Sequence, residues 1–407
     1  MADIQSLARD QSAFAHPTAI WTRRPAPGVA LAARPFHLAD GCLTNAYTLT
    51  VDLDRTQVRP VSSTAGFHLR DLVTGPAVAA VSGAFAYISD NPDYQPAEPC
   101  LDLAVRDQHV ASLPTITKPA LLIHRGRPLV RTVAATGTLA IAGRPHAWSG
   151  SKEPPPPTPP PGHLTVFGAA NCRIRYHDDA RTGFRRDTDP ATNTTPRDPL
   201  ALDCTVTTTP TGPRITALHP GGGADLFAGA HLLRSHRPWP GHLALGAPVH
   251  VTQIDSLAAA DVDSALSLGP SAADAAAGRT TAWDQSLGTS PFRPNARHAR
   301  TLLAIDDRRL TVTVLDGAPF APGFQGVTAS EAAALCERAD HDPAAVYHLD
   351  GGQTSKIAHR NGRGPVDAVG SLHYLRWPRH PHEPFRWQGL DGRHLHSALT
   401  ITSEESR

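Results

Sequence analysis

The chain has 407 residues, 40% of them hydrophobic, and a formal net charge of +1 from 38 basic and 37 acidic side chains. That composition supplies a real core, excludes global disorder, and gives no electrostatic case for a general nucleic-acid binder. At about 150 residues per domain the length allows two or three domains, or one large one.

Residues 1–25 read as a weakly ordered lead-in. They lack the basic n-region and apolar h-region of a secretion signal, and no apolar run in the chain approaches membrane-spanning length. None of the five cysteines forms a CxxC pair, so neither a disulfide framework nor a cysteine zinc site is expected. These features give the expectation of a reduced, cytoplasmic protein without a membrane partner. Lysine occurs only at Lys118, Lys152 and Lys356, the other basic residues being Arg, and Pro reaches 39 residues. This bias reads as GC-rich bacterial coding.

From residue 43 the text turns to strands. Tyr47, Leu49, Val51 and Leu53 alternate onto one face of 43–60. The apolar run 77–88 (AVAAVSGAFAYI) holds Gly83, which in a buried strand marks a bulge or the close approach of another group. Residues 119–141 read as two or more strands broken by HRGRP. The EPPPPTPPPG stretch at 153–162 requires extended polyproline geometry, as a linker or, the preferred reading, a stiff excursion within one domain. Strands are expected again at 164–169 and at LDCTVTT, RITALH and HLALGAPVHVTQI within 201–254, with PGGGAD (220–225) as a turn. Residues 256–290 carry no clear period.

The most ordered text runs from 300 to 357. RTLLAIDDRRLTVTVLDG predicts a β-hairpin turning at Asp306–Arg309. Thr328 followed by Glu331 is a capping-box signature, so a helix starts after Thr328 with Ala332, Leu335, Cys336 and Ala339 on one side. AAVYHL then predicts a short strand that delivers Asp350 at its C-terminal end.

HLDGGQTSK (348–356) is the most informative segment. Two glycines after an Asp let the backbone turn tightly, successive amides can cup an anion, and Gln353, Thr354, Ser355 and Lys356 add donors. Asp350 is then a candidate acid, base or sugar-hydroxyl acceptor. An ordinary Asp-Gly turn is the bland alternative. The segment is not a P-loop, since no Gly-Lys-Ser/Thr follows a GxxxxG.

The succession RTLLAID, LTVTVLDG, GVTASEAAALC, VYHLDGGQTSKI resembles the C-terminal half of the phosphodiester glycosidase family, the family of the N-acetylglucosamine-1-phosphodiester α-N-acetylglucosaminidase. The matching residues are Arg300-Thr301, Asp316-Gly317, Gly326-Val327-Thr328 and His348 through Ser355. VSGAFAYI (81–88) resembles the family's Ile-Asn-Gly-Gly-Phe-Phe segment. Three positions depart from the family pattern: His348 for Asn, Gln353 for a third Gly, and Ser82 for Asn.

The resemblance implies an α+β fold, a single large domain of mixed β-sheets with a few helices over 26–400, followed by a tail at 401–407. It implies hydrolysis between a sugar and a phosphate, on a small sugar-phosphate or nucleotide-sugar substrate. Asp350 and His348 are the catalytic candidates. Arg300, which could hold a phosphate oxygen bidentately, joins Thr301, Ser82, Gly83, Gly351, Gly352, Gln353, Thr354 and Ser355 as substrate-binding candidates. Arg300 as an edge ion pair, and His348 as an interior strand residue bonded to a carbonyl, are the structural alternatives. No cofactor is expected. His341-Asp342 and His380-Pro-His382 lack metal-ligand spacing, the acids at 178, 179, 187 and 189 read as solvated loops, and Tyr374, Trp377, Phe385 and Trp387 read as packing or a sugar-stacking surface. The remaining function classes are a non-catalytic sugar- or phosphate-binding protein and a glycosyl transferase.

Overall fold

The computed structural model describes residues 14–87, 94–154, 159–172, 175–177, 185–187, 190–281, 283, 292, 295–362, 364–376, 386–388 and 391–403. The Pro-rich core at 155–158, Asp178, Asp179, Asp189, Trp377, His380, His382 and Phe385 lie outside them.

About 49% of the residues are in strands and 10% in helices. The expectation of many sheets and few helices holds in that form, with more β than the α+β label conveys. Four sheets carry the fold. A six-stranded antiparallel sheet runs Trp21–Ala26, Val29–His37, Leu43–Asp52, Arg309–Leu315, Arg300–Ile305, Val346–Leu349. A five-stranded sheet has Ala77–Ser82 at its centre, between Lys356–Arg360 and Leu395–Ser403. A second five-stranded sheet is centred on Val262–Ser267, and an eight-stranded sheet contains the chain's one parallel pair among the described strands, Trp148 opposite Leu164.

The Val262–Ser267 sheet is the middle layer. Along it Leu103, Val105, Ala120, Leu122 and Ala265 pack toward the eight-stranded sheet. Their neighbours Ala104, Leu121 and Leu266 pack toward the other two sheets. Burial on both faces explains why ALLI reads as an unbroken apolar run. The six-stranded sheet likewise sends Leu303 and Val312 inward, while Leu302 and Leu315 meet the helix Ala329–Glu337 on its outer face. That helix starts as predicted: Thr328 accepts from the Glu331 amide and Glu331 accepts from the Thr328 amide.

Several sequence expectations need correction. Trp21–Ala26 is an ordered edge strand inside the stretch read as lead-in; Pro25 hid it, and an edge position tolerates Pro. Leu395–Ser403 runs into the stretch read as tail. His231–His236 is a central strand, whereas 242–246 is not one. Its pattern is broken by Arg234, which is buried in a bidentate pair with Asp203 at 2.7 and 2.9 Å. The strands on either side of the Pro-rich stretch, Arg144–Gly150 and Leu164–Phe167, lie side by side in one sheet. Among the described residues no disulfide forms, and no helix is long and apolar enough to cross a membrane.

Gly83 sits where a Cβ would lie 2.7 Å from the Ala398 amide nitrogen and 2.8 Å from the Ser397 carbonyl carbon. Backbone cannot yield as a side-chain tip can. Gly83→Ala is therefore expected to destabilise the protein by about 1–3 kcal/mol. Urea unfolding checks this: the midpoint falls with an unchanged slope.

Candidate functional site

HLDGGQTSK is the crossover between two sheets. The chain leaves the six-stranded sheet after Leu349, makes one 3-10 turn at Gly352–Thr354, and enters the five-stranded sheet at Lys356. Gly352 has φ +67°, the left-handed conformation that glycine adopts without strain. Two backbone bonds fasten the crossover. The Asp350 amide donates to Gly83 O at 2.8 Å, and the Gly352 amide donates to Ala299 O at 2.7 Å. The three distant segments at 82–83, 299–301 and 350–355 thus meet.

Their side chains form a buried row of hydroxyls. Thr301 Oγ1 donates to Ser355 Oγ at 3.2 Å, and Ser82 Oγ lies 3.2 Å from Thr301 Oγ1. Thr301 has one proton and spends it on Ser355, so Ser82 donates to Thr301.

The charges at this junction are not all those expected. Asp350 is half-buried, and its Oδ1 accepts the Gly351 amide at 2.9 Å. Its charge acts on Lys356. Lys356 is fully buried, and its Nζ donates to Asp391 O at 2.8 Å and Arg393 O at 2.6 Å. Burial, with Arg393 adding to it and Asp391 and Asp350 opposing, lowers the ammonium to about 7. A second carboxyl, Asp316, follows Arg309–Leu315, two strands away in the same sheet. It accepts the Ser371 hydroxyl at 2.9 Å and the Gly317 amide at 2.7 Å, while burial pushes it up to about 6. Ser371 in turn donates its amide to Ser355 O at 2.7 Å. Hydrogen bonds therefore link Asp316 to the Ser355 residue of the hydroxyl row.

Arg300 departs from its expected role. Its Nε donates to Val327 O at 2.9 Å and its Nη2 to Ala296 O at 3.1 Å, with the guanidinium over the Phe292 ring. These bonds fasten the 296 and 327 segments, and burial lowers the guanidinium to about 10. The anion-cupping turn is corrected too. The Gly351, Gly352, Thr354 and Ser355 amides all donate within the chain, and the Thr354 hydroxyl bonds Gly351 O. Gln353 stays half-buried on the turn.

His348 is buried 5.0 Å from Phe292, ring to ring, and its Nε2 has no hydrogen-bond partner among the described residues. Burial first, then the charge of Arg300, holds it well below its ordinary value. It is an interior histidine packed on Phe292.

Sequence reasoning counted Lys356 only as a donor of the turn and used Asp316 only as a motif position. The rarity of lysine was the available signal for the first. Nothing local marks Ser371 or Arg393. Among the described residues no group of three His, Cys, Asp or Glu side chains is placed to hold a metal. A wide groove lies at the opposite end of the six-stranded sheet, between the turns at Gly28 and Asp306–Arg309.

No family model matches the chain, and no curated protein matches it. Its fold is similar to two solved structures. One is a hypothetical protein from Synechocystis, 14% identical, with a TM-score of 0.54 over 95% of this chain and 64% of that one. The other is a candidate exported protein from Burkholderia pseudomallei K96243, 19% identical, with a TM-score of 0.50 over 89% of this chain and 74% of that one. The chain thus spans less than two thirds of the Synechocystis protein. At these identities the likeness concerns the fold alone.

Asp316 gives a measurable signature. Its folded-state pKa of about 6 lies above the ordinary carboxylic value. The stability it contributes is complete below about pH 4 and is lost as pH rises through about 6. Asp316→Asn keeps both acceptor contacts and cannot ionise. Between those two pH values the wild type should lose about 2–3 kcal/mol relative to the variant, as read by denaturant unfolding.

Proposed function

We propose that this protein is a hydrolase of the phosphodiester glycosidase type, built as one large α+β domain, that cleaves the bond between a sugar and a phosphate in a small bacterial metabolite. The observation that carries the reading is the placement of Asp350. It closes a strand where two sheets cross, its amide bonded to Gly83 O next to Ser82, and its charge acts on Lys356. The order of motifs along the sequence supports it independently.

The chemistry asks for little protonation. Breaking an anomeric C–O bond passes through an oxocarbenium-like state, and a phosphate monoester leaves as a stable anion. Asp350 serves as base or nucleophile toward the anomeric carbon. The Lys356 ammonium and the nearby Arg393 supply positive potential for the leaving phosphate. Asp316, pushed up to about 6 by burial, is a second carboxyl of the same region that accepts the Ser371 hydroxyl.

One observation favours a second reading. The Arg300 bonds and the turn amides are already satisfied within the chain, which leaves fewer donors for phosphate than a dedicated phosphate hydrolase uses. A sugar-binding protein on the same scaffold would need fewer.

A panel of sugar-1-phosphodiesters and nucleotide sugars decides between them. Free sugar and phosphate monoester should appear, and Asp350→Asn should lower kcat by about 10²–10⁴-fold with little change in folding. Ligand binding without turnover in the wild type, retained in Asp350→Asn, would replace the hydrolase with the binding protein. Neither turnover nor binding would end both readings.

A further inference from the structure

Two histidines face each other beside the segment that holds Lys356. His68 Nε2 lies 2.8 Å from His394 Nε2. A straight N–H···N bond of that length would put the ring centroids about 5 Å apart. They are 4.1 Å apart, with the ring planes at 80°. A donor N–H and an acceptor lone pair therefore cannot both lie on the line between the two nitrogens. His146 and His242 show the ordinary case. Their Nε2 atoms are 2.7 Å apart and their centroids 4.9 Å, and His146 Nδ1 donates to Gly162 O at 2.9 Å, which fixes its tautomer. His68 has no such anchor, since its Nδ1 is buried without a hydrogen-bond partner among the described residues. The backbone beneath the His68–His394 pair is braced on both sides. Phe67 lies opposite Leu395 in neighbouring strands, and Arg70 Nε pairs with Asp391 Oδ1 at 2.7 Å.

We propose that His68 and His394 together hold a divalent metal ion of square or octahedral preference, Ni²⁺ or Cu²⁺, each through Nε2. Imidazole nitrogen suits these ions. Two nitrogens about 2.1 Å from one ion lie about 3.0 Å apart when they bind at right angles, and about 3.4 Å apart at the tetrahedral angle of a zinc site. The separation of 2.8 Å matches the right-angled case. No third His, Cys, Asp or Glu among the described residues joins the pair, so water fills the other positions. His394 is exposed and His68 half-buried, which gives the ion an entry path. The carbonyls that hold the Lys356 ammonium belong to Asp391 and Arg393, just before His394. The bound ion ties that segment to the 3-10 turn Leu69–Leu72, which follows His68. This inference does not rest on the hydrolase reading.

The test counts nickel bound to the intact protein after dialysis against NiCl₂ and follows thermal unfolding in the same buffer. The wild type should carry one more bound Ni²⁺ than His394→Gln. Saturating NiCl₂ should raise its melting temperature by at least about 2 °C more than that of the variant. His394 is exposed, so this substitution leaves the fold in place. His68→Gln should show the same loss, and His242→Gln should keep the ion. Zn²⁺ should compete for the site less well than Ni²⁺. Equal nickel counts and equal melting shifts in the wild type and His394→Gln would overturn the proposal, as would loss of the ion in His242→Gln alone. Tighter binding of Zn²⁺ than of Ni²⁺ would overturn the right-angled geometry assigned to the site.

Discussion

The hydrogen bond from the Asp350 amide to Gly83 O is the contact on which the site depends. It joins the last strand of one sheet to the central strand of another. A strand end would otherwise fan out into solvent. Here it is pinned from below by Gly83 and from the side by Ala299, and the carboxylate that follows has a fixed direction. Gly83 can serve this way only because it carries no side chain against Ser397 and Ala398. One small residue thus lets the end of its strand lie against Leu395–Ser403 in the same sheet while its carbonyl accepts the Asp350 amide from the other.

The hairpin at 300–315, the capped helix and the strand ending at Asp350 were legible because each depends on neighbours within a few residues. Alternation, a capping box and a Gly-Gly turn are local signals. The His231–His236 strand was not legible, since its Arg234 is satisfied by Asp203, thirty-one positions away. The crossover residues were legible as a group, and their roles were not. Arg300 carries the chemistry of a phosphate clamp, but whether a guanidinium meets a ligand or two carbonyls is decided by where Val327 and Ala296 arrive. The same holds for the turn: DGGQTS has the composition of an anion cradle, and the Asp350, Gly351, Gly352, Thr354 and Ser355 amides donate to Gly83, Asp350, Ala299 and the 3-10 turn itself.

All three lysines are wholly or partly buried. At Lys356 the Nζ lies between two carbonyls, and a Cβ on Gly392 would come within 2.9 Å of it. An ammonium donates in three directions from one atom, which such a pocket accommodates. The same burial makes the proton easier to lose. The pocket that holds this ammonium between two carbonyls therefore also lowers it to about 7.

Burial shifts two further groups near this crossover in opposite senses. It pushes the Asp316 carboxyl up to about 6 and the Lys356 ammonium down to about 7. Desolvation disfavours the charged form of each, so an acid and a base in dry surroundings move toward each other's range, which neither would reach in water.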